Sequence, residues 1–126
     1  MIAEDVIRLA RENDDFRREV ATAERSQIVV MTIPPGGDIG EEVHEGIDQL
    51  LLFVEGEAEA IVGGERRRVG PDELVLVPGG TRHNFVNIGE FPLRLVTVYT
   101  PPEHPPGTVH RTKEEADAAE AEHHGG

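Results

Sequence analysis

Two histidines, His44 and His83, stand in polar, glycine-flanked surroundings that could bring them to one metal ion. The first lies in Gly40-Glu41-Glu42-Val43-His44-Glu45-Gly46-Ile47-Asp48-Gln49, with Glu55-Gly56 soon after. Strand residues two apart project from the same face, so Glu42 and His44 point the same way. Gln49 opens the next strand after a short turn and can lie beside them. A one-residue change of register would turn Asp48 inward instead. The second window is Pro78-Gly79-Gly80-Thr81-Arg82-His83-Asn84-Phe85-Val86-Asn87. Its Pro-x-Gly turn starts a strand on which His83 can project inward. Two imidazoles with carboxylate and amide oxygens suit Fe(II), Mn(II), Ni(II) or Zn(II).

The same residues admit blander roles. Gln49 and Asp48 could hold an imidazole in one tautomer without touching a metal. Glu42 could be one of three solvated acids near a loop. His104 and His110 lie in a Pro-rich stretch and read as surface or capping residues. His123 and His124, close to the end of the sequence, are set aside as site residues. Arg66-Arg67-Arg68 reads as a solvated strand face paired with nearby acids. Gly36, Gly56, Gly63, Gly64 and Gly80 read as turn positions, not as a phosphate cradle.

The elements that must position these groups follow from patterning. Residues 1–14 read as a short helix, with Ile2, Val6, Leu9 and Ala10 on one face. From Phe16 to Tyr99 the pattern changes to short strands. Gln27 to Ile33 is rich in β-branched residues and ends at Pro34-Pro35-Gly36-Gly37. Further strands are expected over Ile39–His44, Gln49–Val54, Ala58–Val62, Glu65–Val69, Leu74–Val77, Arg82–Asn87 and Leu93–Tyr99. Gly63-Gly64 makes a hairpin of Ala58–Val62 and Glu65–Val69. Short strands spaced by about ten residues, with Gly and Pro between them, argue for an all-β sandwich or barrel. After Tyr99 a Pro-rich segment, TPPEHPPGTV, should run extended over the surface. Thr112-Lys113-Glu114-Glu115 then has the pattern of a capping box and opens a short terminal helix. The closing His123-His124-Gly125-Gly126 is expected to fray. The whole, residues 1–126, is one domain: helix (1–14), barrel (16–99), then Pro-rich segment and helix (100–126).

Composition excludes several classes of function. The chain has no Cys, so it offers no thiolate ligand, thiolate nucleophile or disulfide. Its formal net charge of -13 repels nucleic acid and anionic lipid, so neither is an expected partner. Lys113 is the sole Lys and sits near a charged tail, which argues against Schiff-base chemistry. No apolar run is long enough to span a membrane. The acidic N-terminus lacks the apolar core of a secretory signal, and the expected location is cytoplasmic.

Both histidine windows resemble the motifs of the small single-domain cupins, built on a conserved β-barrel. Pro78, Gly80, His83 and Asn87 stand at the spacing of the second cupin motif. The Gly that precedes that strand in the family is matched by Gly70, two residues early, or replaced by Asp72. In the first motif, counted back from Gly56, Gln49 falls on the family's Glu, His44 on its second His and Glu42 on its first His. The resemblance implies a double-stranded β-helix, or jelly-roll barrel, binding one divalent transition metal through Glu42, His44, Gln49 and His83. Two of those four, Glu42 and Gln49, depart from the family's residue types. From Phe16 to about His110 the chain is similar to a bacterial subgroup often labelled mannose-6-phosphate-isomerase-like, marked by EEVHEGIDQ, VPGGTRHNFVN and YTPPEHPPGTVH. Cupins commonly pair through barrel faces, which implies a homodimer.

A metal in a barrel mouth leaves positions open for water or substrate. Leu51, Phe53, Phe85 and Tyr99 are the expected apolar wall for a small organic molecule. A neutral Gln49 in place of a ligand Glu raises the charge at the metal by one and favours an anionic substrate. If Glu42 is not itself a ligand, it is the best placed general base. These expectations describe a metal-dependent enzyme of the dioxygenase or isomerase type, acting on a small oxygenated molecule. The alternatives are a non-catalytic small-ligand-binding barrel and a purely structural one.

Overall fold

A computed structural model describes the backbone of residues 1–125 and the side chains of residues 1–121. The first helix, α1 (Val6–Glu12), starts where Asp5 caps it: the Asp5 carboxylate accepts a hydrogen bond from the Arg8 N–H at 3.1 Å. That cap makes the helix shorter than the 1–14 expected. Nine strands follow: β1 (Arg17–Thr22), β2 (Gln27–Ile33), β3 (Asp48–Glu55), β4 (Ala58–Val62), β5 (Glu65–Val69), β6 (Leu74–Val77), β7 (His83–Asn87), β8 (Leu93–Thr100) and β9 (Val109–His110). The second helix, α2 (Lys113–Gly125), ends the described chain. Gly126, the last of the four residues expected to fray, lies outside the described residues. No helix among the described residues is long and apolar enough to cross a membrane.

The strands form a six-stranded sheet in the order β6-β3-β8-β2-β1-β9 and a three-stranded sheet in the order β5-β4-β7. Every strand pair is antiparallel. The fold is therefore all-β with two short helices. Alternation sorts the side chains. Val29, Met31 and Ile33 of β2, Leu51 and Phe53 of β3 and Leu93 and Leu95 of β8 enter one buried core with Phe85 of β7. On the opposite face of the same strands, Val30, Val54 and Val96 pack under Ala10 of α1. The hydrophobic face read in α1 thus covers the outside of the barrel.

The structure corrects three expectations. Residues 39–44 do not form a strand. Gly40 takes a positive φ of 108°, and only isolated bridges remain, Asp38 with Val86 and Glu42 with His83. The segment still runs along β7, because Asn84 fixes it. The Gly40 N–H donates to Asn84 Oδ1 at 3.0 Å, and Asn84 Nδ2 donates to Asp38 Oδ2 at 2.9 Å. Lys113 of α2 reaches the other oxygen of Asp38 at 3.0 Å.

The second correction concerns the Pro-rich segment, which is tied into the barrel mouth and does not run free over the surface. Gln27 Oε1 accepts from the backbone N–H groups of Glu103 and His104 at 3.3 and 3.0 Å. Gln27 Nε2 donates to the His104 carbonyl at 2.6 Å. The third correction follows from the second: His104 and His110 are half-buried beside Arg17, not surface residues. The basic run behaves as read, with Arg66, Arg67 and Arg68 paired to Glu59, Glu73 and Glu57.

Candidate metal centre

The backbone brings the two histidine windows together before any side chain acts. The Glu42 N–H donates to the His83 carbonyl at 2.9 Å, and the His83 N–H donates to the Glu42 carbonyl at 3.0 Å. This reciprocal pair of hydrogen bonds clamps Glu42 against the first residue of β7. Gly80, at φ 81°, turns the chain into β7 and donates its N–H to the His44 carbonyl at 3.0 Å. The two imidazole rings then stand 5.3 Å apart. Glu42, His44 and His83 each offer one ligand atom, and these atoms lie within 4.8 Å of one another.

The donors are oriented as ligands. His83 Nδ1 lies 2.9 Å from the Thr81 carbonyl, which can only accept, so Nδ1 carries the proton and Nε2 keeps its lone pair. The Glu103 carboxylate stands 3.6 Å from His44 Nδ1 and draws the proton of that ring to the same side. His44 Nε2 lies 2.7 Å from Glu42 Oε2, but the two are not aligned for a hydrogen bond. Two lone-pair atoms converge there without satisfying each other.

Gln49 adds a third sign of fit. Its side chain is 3% exposed, on the inward row of β3 opposite Tyr99 of β8. Nε2 donates to Thr97 Oγ1 at 3.0 Å, while Oε1 is buried without a partner among the described residues. A buried, unpartnered carbonyl oxygen costs free energy unless something fills it. Asp48 points the other way: it is exposed and accepts the Gly79 N–H at 2.8 Å. The register therefore places Gln49 inward and gives Asp48 the task of holding the Pro78-Gly79 turn. The two imidazole nitrogens and the carboxylate of the cluster form a mixed nitrogen and oxygen set that fits a borderline divalent metal.

Charge around the cluster is arranged unevenly. Burial works to raise the Glu42 carboxyl, but the close approach and charge of His44, with Arg17 and His83 beyond it, outweigh burial and hold it below its usual range. Burial works to lower His44, and Glu42 and then Glu103 reverse that, leaving its pKa raised. His83 goes down, through burial and the neighbouring His44 against the opposing pull of the Thr81 carbonyl, and so stays in the neutral form that binds metals. Burial raises Glu103. Glu42 is thus a half-buried, ionised carboxylate held beside His44 and not a loosely solvated acid.

The expected apolar wall lies elsewhere. Leu51, Phe53 and Phe85 are wholly buried in the packed core, and Tyr99 is 2% exposed with its ring edge-on to His44 at 6.0 Å. A cleft of about 440 Å³ borders His83 with Asn84 and Arg82, and two further clefts by the cluster share Glu42, Glu103 and Glu120. One, of about 360 Å³, runs past His44, Ile39 and Ile47 toward Lys113 and Asp117. The other, of about 490 Å³, runs past Arg17, His104 and His110 under α2. Arg17, Gln27 and Glu103 were not singled out from the sequence. The available signal for Glu103 and His104 was a polar pair framed on both sides by Pro-Pro.

The protein is a small antiparallel barrel with a His and Glu cluster at its mouth that could hold a metal ion. Residues 29–99 match the cupin domain family, and the chain belongs to that family. It is 38% identical over 122 residues to the protein YrkC of Bacillus subtilis, a match covering 92% of this chain and 66% of YrkC. It is 33% identical to the protein L612 of Acanthamoeba polyphaga mimivirus, over 77% of this chain and 63% of L612. The chain thus spans somewhat under two thirds of the length of both relatives. Among solved structures, that of BH2720 from Bacillus halodurans superimposes with a TM-score of 0.91 at 37% identity, covering 93% of each chain.

Proposed function

We propose that this cupin binds one divalent transition metal (Fe, Mn, Ni or Zn) and acts as a metal-dependent enzyme on a small oxygenated organic molecule, by oxygenation or isomerisation. Glu42, His44 and His83 would hold the ion, with Gln49 Oε1 as fourth donor. The observation that carries this reading is the convergence of the Glu42, His44 and His83 donor atoms within 4.8 Å, with His44 Nε2 lacking an aligned partner. An ion of this class polarises a carbonyl or enediol oxygen or, as iron, brings a substrate and O₂ together.

The chain's own residues supply the rest. Thr81 and Glu103 keep the protons of His83 and His44 on their Nδ1 atoms. The α2 helix and the Glu103-His104 segment narrow the approach from solvent. Glu42, ionised and open to both clefts, is the group able to take a proton from a bound molecule when it is not ligating.

A second reading, a non-catalytic ligand-binding barrel, is favoured by one feature. Glu42 Oε2 and His44 Nε2 lie 2.7 Å apart, so a proton taken up by His44 would offset the Glu42 charge and let the mouth persist without an ion. The deciding experiment is elemental analysis of the purified wild type beside a His44→Ala, His83→Ala double variant. About one equivalent of a transition metal in the wild type, absent from the variant, is expected. A folded wild type that takes up none of Fe(II), Mn(II), Ni(II) or Zn(II) would remove the metal reading. Turnover of simple diketones, quercetin-like compounds or sugar phosphates by the loaded protein would separate an enzyme from a binding barrel.

A further inference from the structure

The 490 Å³ cleft under α2 contains a feature that the metal cluster does not use. Arg17 opens β1 and is only 6% exposed. Its hydrogen-bond partner is neutral: Nη1 lies 3.2 Å from His110 Nδ1, near the Tyr99 hydroxyl, while the carboxylates of Glu42 and Glu103 act on the guanidinium through charge alone. Glu42 and Glu103, which share the cleft, turn to His44 instead. Arg17 Nε is buried with no partner. Across the same cleft His104 Nε2 is also buried with no partner. The position of His104 is fixed from behind, by the Gln27 clamp on its backbone and by Tyr99, whose ring stands edge-on at 5.2 Å.

A guanidinium only donates, so what Arg17 lacks is an acceptor. A buried donor left without an acceptor is costly to maintain, and a ligand oxygen placed at Nε relieves that cost. We infer that Arg17 and His104 form a carboxylate-binding subsite beside the metal cluster, and that the ligand is a small acid bearing a second oxygen next to its carboxylate, of the 2-oxo or 2-hydroxy type. Arg17 Nε–H and His104 Nε2–H donate to the carboxylate. The second oxygen points toward Glu42, which walls the cleft on the side of His44 and His83. The inference rests on the metal reading above, because a dication offsets the repulsion that Glu42 and Glu103 would exert on an anion. It goes beyond that reading in naming the substrate class and the residues that recognise it.

The test is calorimetric titration of pyruvate and of propionate into the Zn(II)-loaded wild type, Arg17→Met and His104→Phe. Zinc uptake is titrated first on each protein. Pyruvate is expected to bind the wild type, and propionate, without the second oxygen, at least about tenfold more weakly. Arg17→Met should weaken pyruvate about 10- to 100-fold, the range of a charge-assisted hydrogen bond, while zinc affinity stays within about twofold. His104→Phe keeps the ring against Tyr99 and should weaken pyruvate about three- to tenfold. It reads the same cleft if Arg17→Met fails to fold by circular dichroism. Equal pyruvate affinity in wild type and variants, or no binding of either acid, overturns the subsite. Equal affinity for the two acids overturns the second contact. Failure of the wild type to take up zinc overturns the metal reading and the subsite with it, whereas zinc uptake without pyruvate binding overturns the subsite alone.

Discussion

The two ends of the barrel interior are built by the same strands and differ in almost everything else. At one end Ile33 of β2 faces Leu93 of β8, Phe53 of β3 faces Leu95, and the space between is filled by Phe85. Asn87 is the polar residue buried there, and it is fully engaged. It donates to the Ile33 and Phe91 carbonyls and accepts from the Gly89 N–H, each at 2.9 Å. Six residues along the same β2 row, Gln27 faces Tyr99, which also faces Gln49. Around them lie Thr97, His83, His44 and Glu42. Among the described residues four buried side-chain polar atoms lack hydrogen-bond partners, and all belong to residues of this second end: Arg17 Nε, His44 Nε2, Gln49 Oε1 and His104 Nε2. One end thus stabilises the fold by apolar burial with its polar group satisfied. The other keeps polar groups in reserve at the expense of stability, as functional sites do.

The largest effect that tests this division is expected at the closed end. Phe53→Ala removes a wholly buried ring and should destabilise the protein by about 3–5 kcal/mol in urea unfolding with chelator present. Metal uptake by the fraction still folded should remain near that of the wild type. If uptake fell while the fold persisted, the two ends would be coupled and the division would be false.

A smaller effect is expected from acid at the mouth. Burial, with the charge of Arg17 next, pushes His104 down to about 3 from its ordinary 6.5. Below pH 6.5 the unfolded chain takes up a proton that the folded chain refuses. The stability contributed by neutral His104 is therefore complete above that pH and is lost progressively as pH falls toward 3. The slope approaches ~1.4 kcal/mol per pH unit, less where solvent relieves the buried charge. In unfolding curves taken from pH 7 to pH 5 with chelator present, the wild type should lose stability relative to His104→Phe as pH falls. Parallel curves would show that His104 is not buried as a neutral ring.

How much of this was legible in the chain depends on the range of the signal. β2, the β4–β5 hairpin and β6 carry local marks: β-branched residues, a Gly63-Gly64 turn and a short apolar run. They lie over the residues expected of them. His44 and His83 were marked by their spacing to Gly and Pro. β1 and β9 were not marked, because Arg17 and Arg18 take strand form by pairing with Met31 and Val30 on one side and His110 and Val109 on the other. The same holds for the second cleft. Arg17 meets His110 across 93 positions, and Gln27 holds His104 across 77. No local pattern encodes a contact at that distance. The inward direction of Gln49 over Asp48 was likewise open until the pairing of β3 with β8 fixed the register.

Gln49 gives the smallest expected change in stability and the sharpest reading of the mouth. Gln49→Leu nearly preserves volume, deletes the unpartnered Oε1 and deprives Thr97 Oγ1 of one hydrogen bond at 3.0 Å. Losing the bond destabilises and losing the orphan stabilises, so the metal-free protein should change by no more than ~1 kcal/mol. The metal should not be so indifferent. If Oε1 completes the donor set, affinity for Zn(II) or Mn(II) should fall about tenfold or more, while His83 and His44 still hold the ion. A variant with unchanged stability and unchanged metal affinity would place Gln49 outside the donor set. It would leave Glu42 and the two histidines as a three-point site, with its orphaned amide oxygen belonging to the ligand cleft and not to the ion.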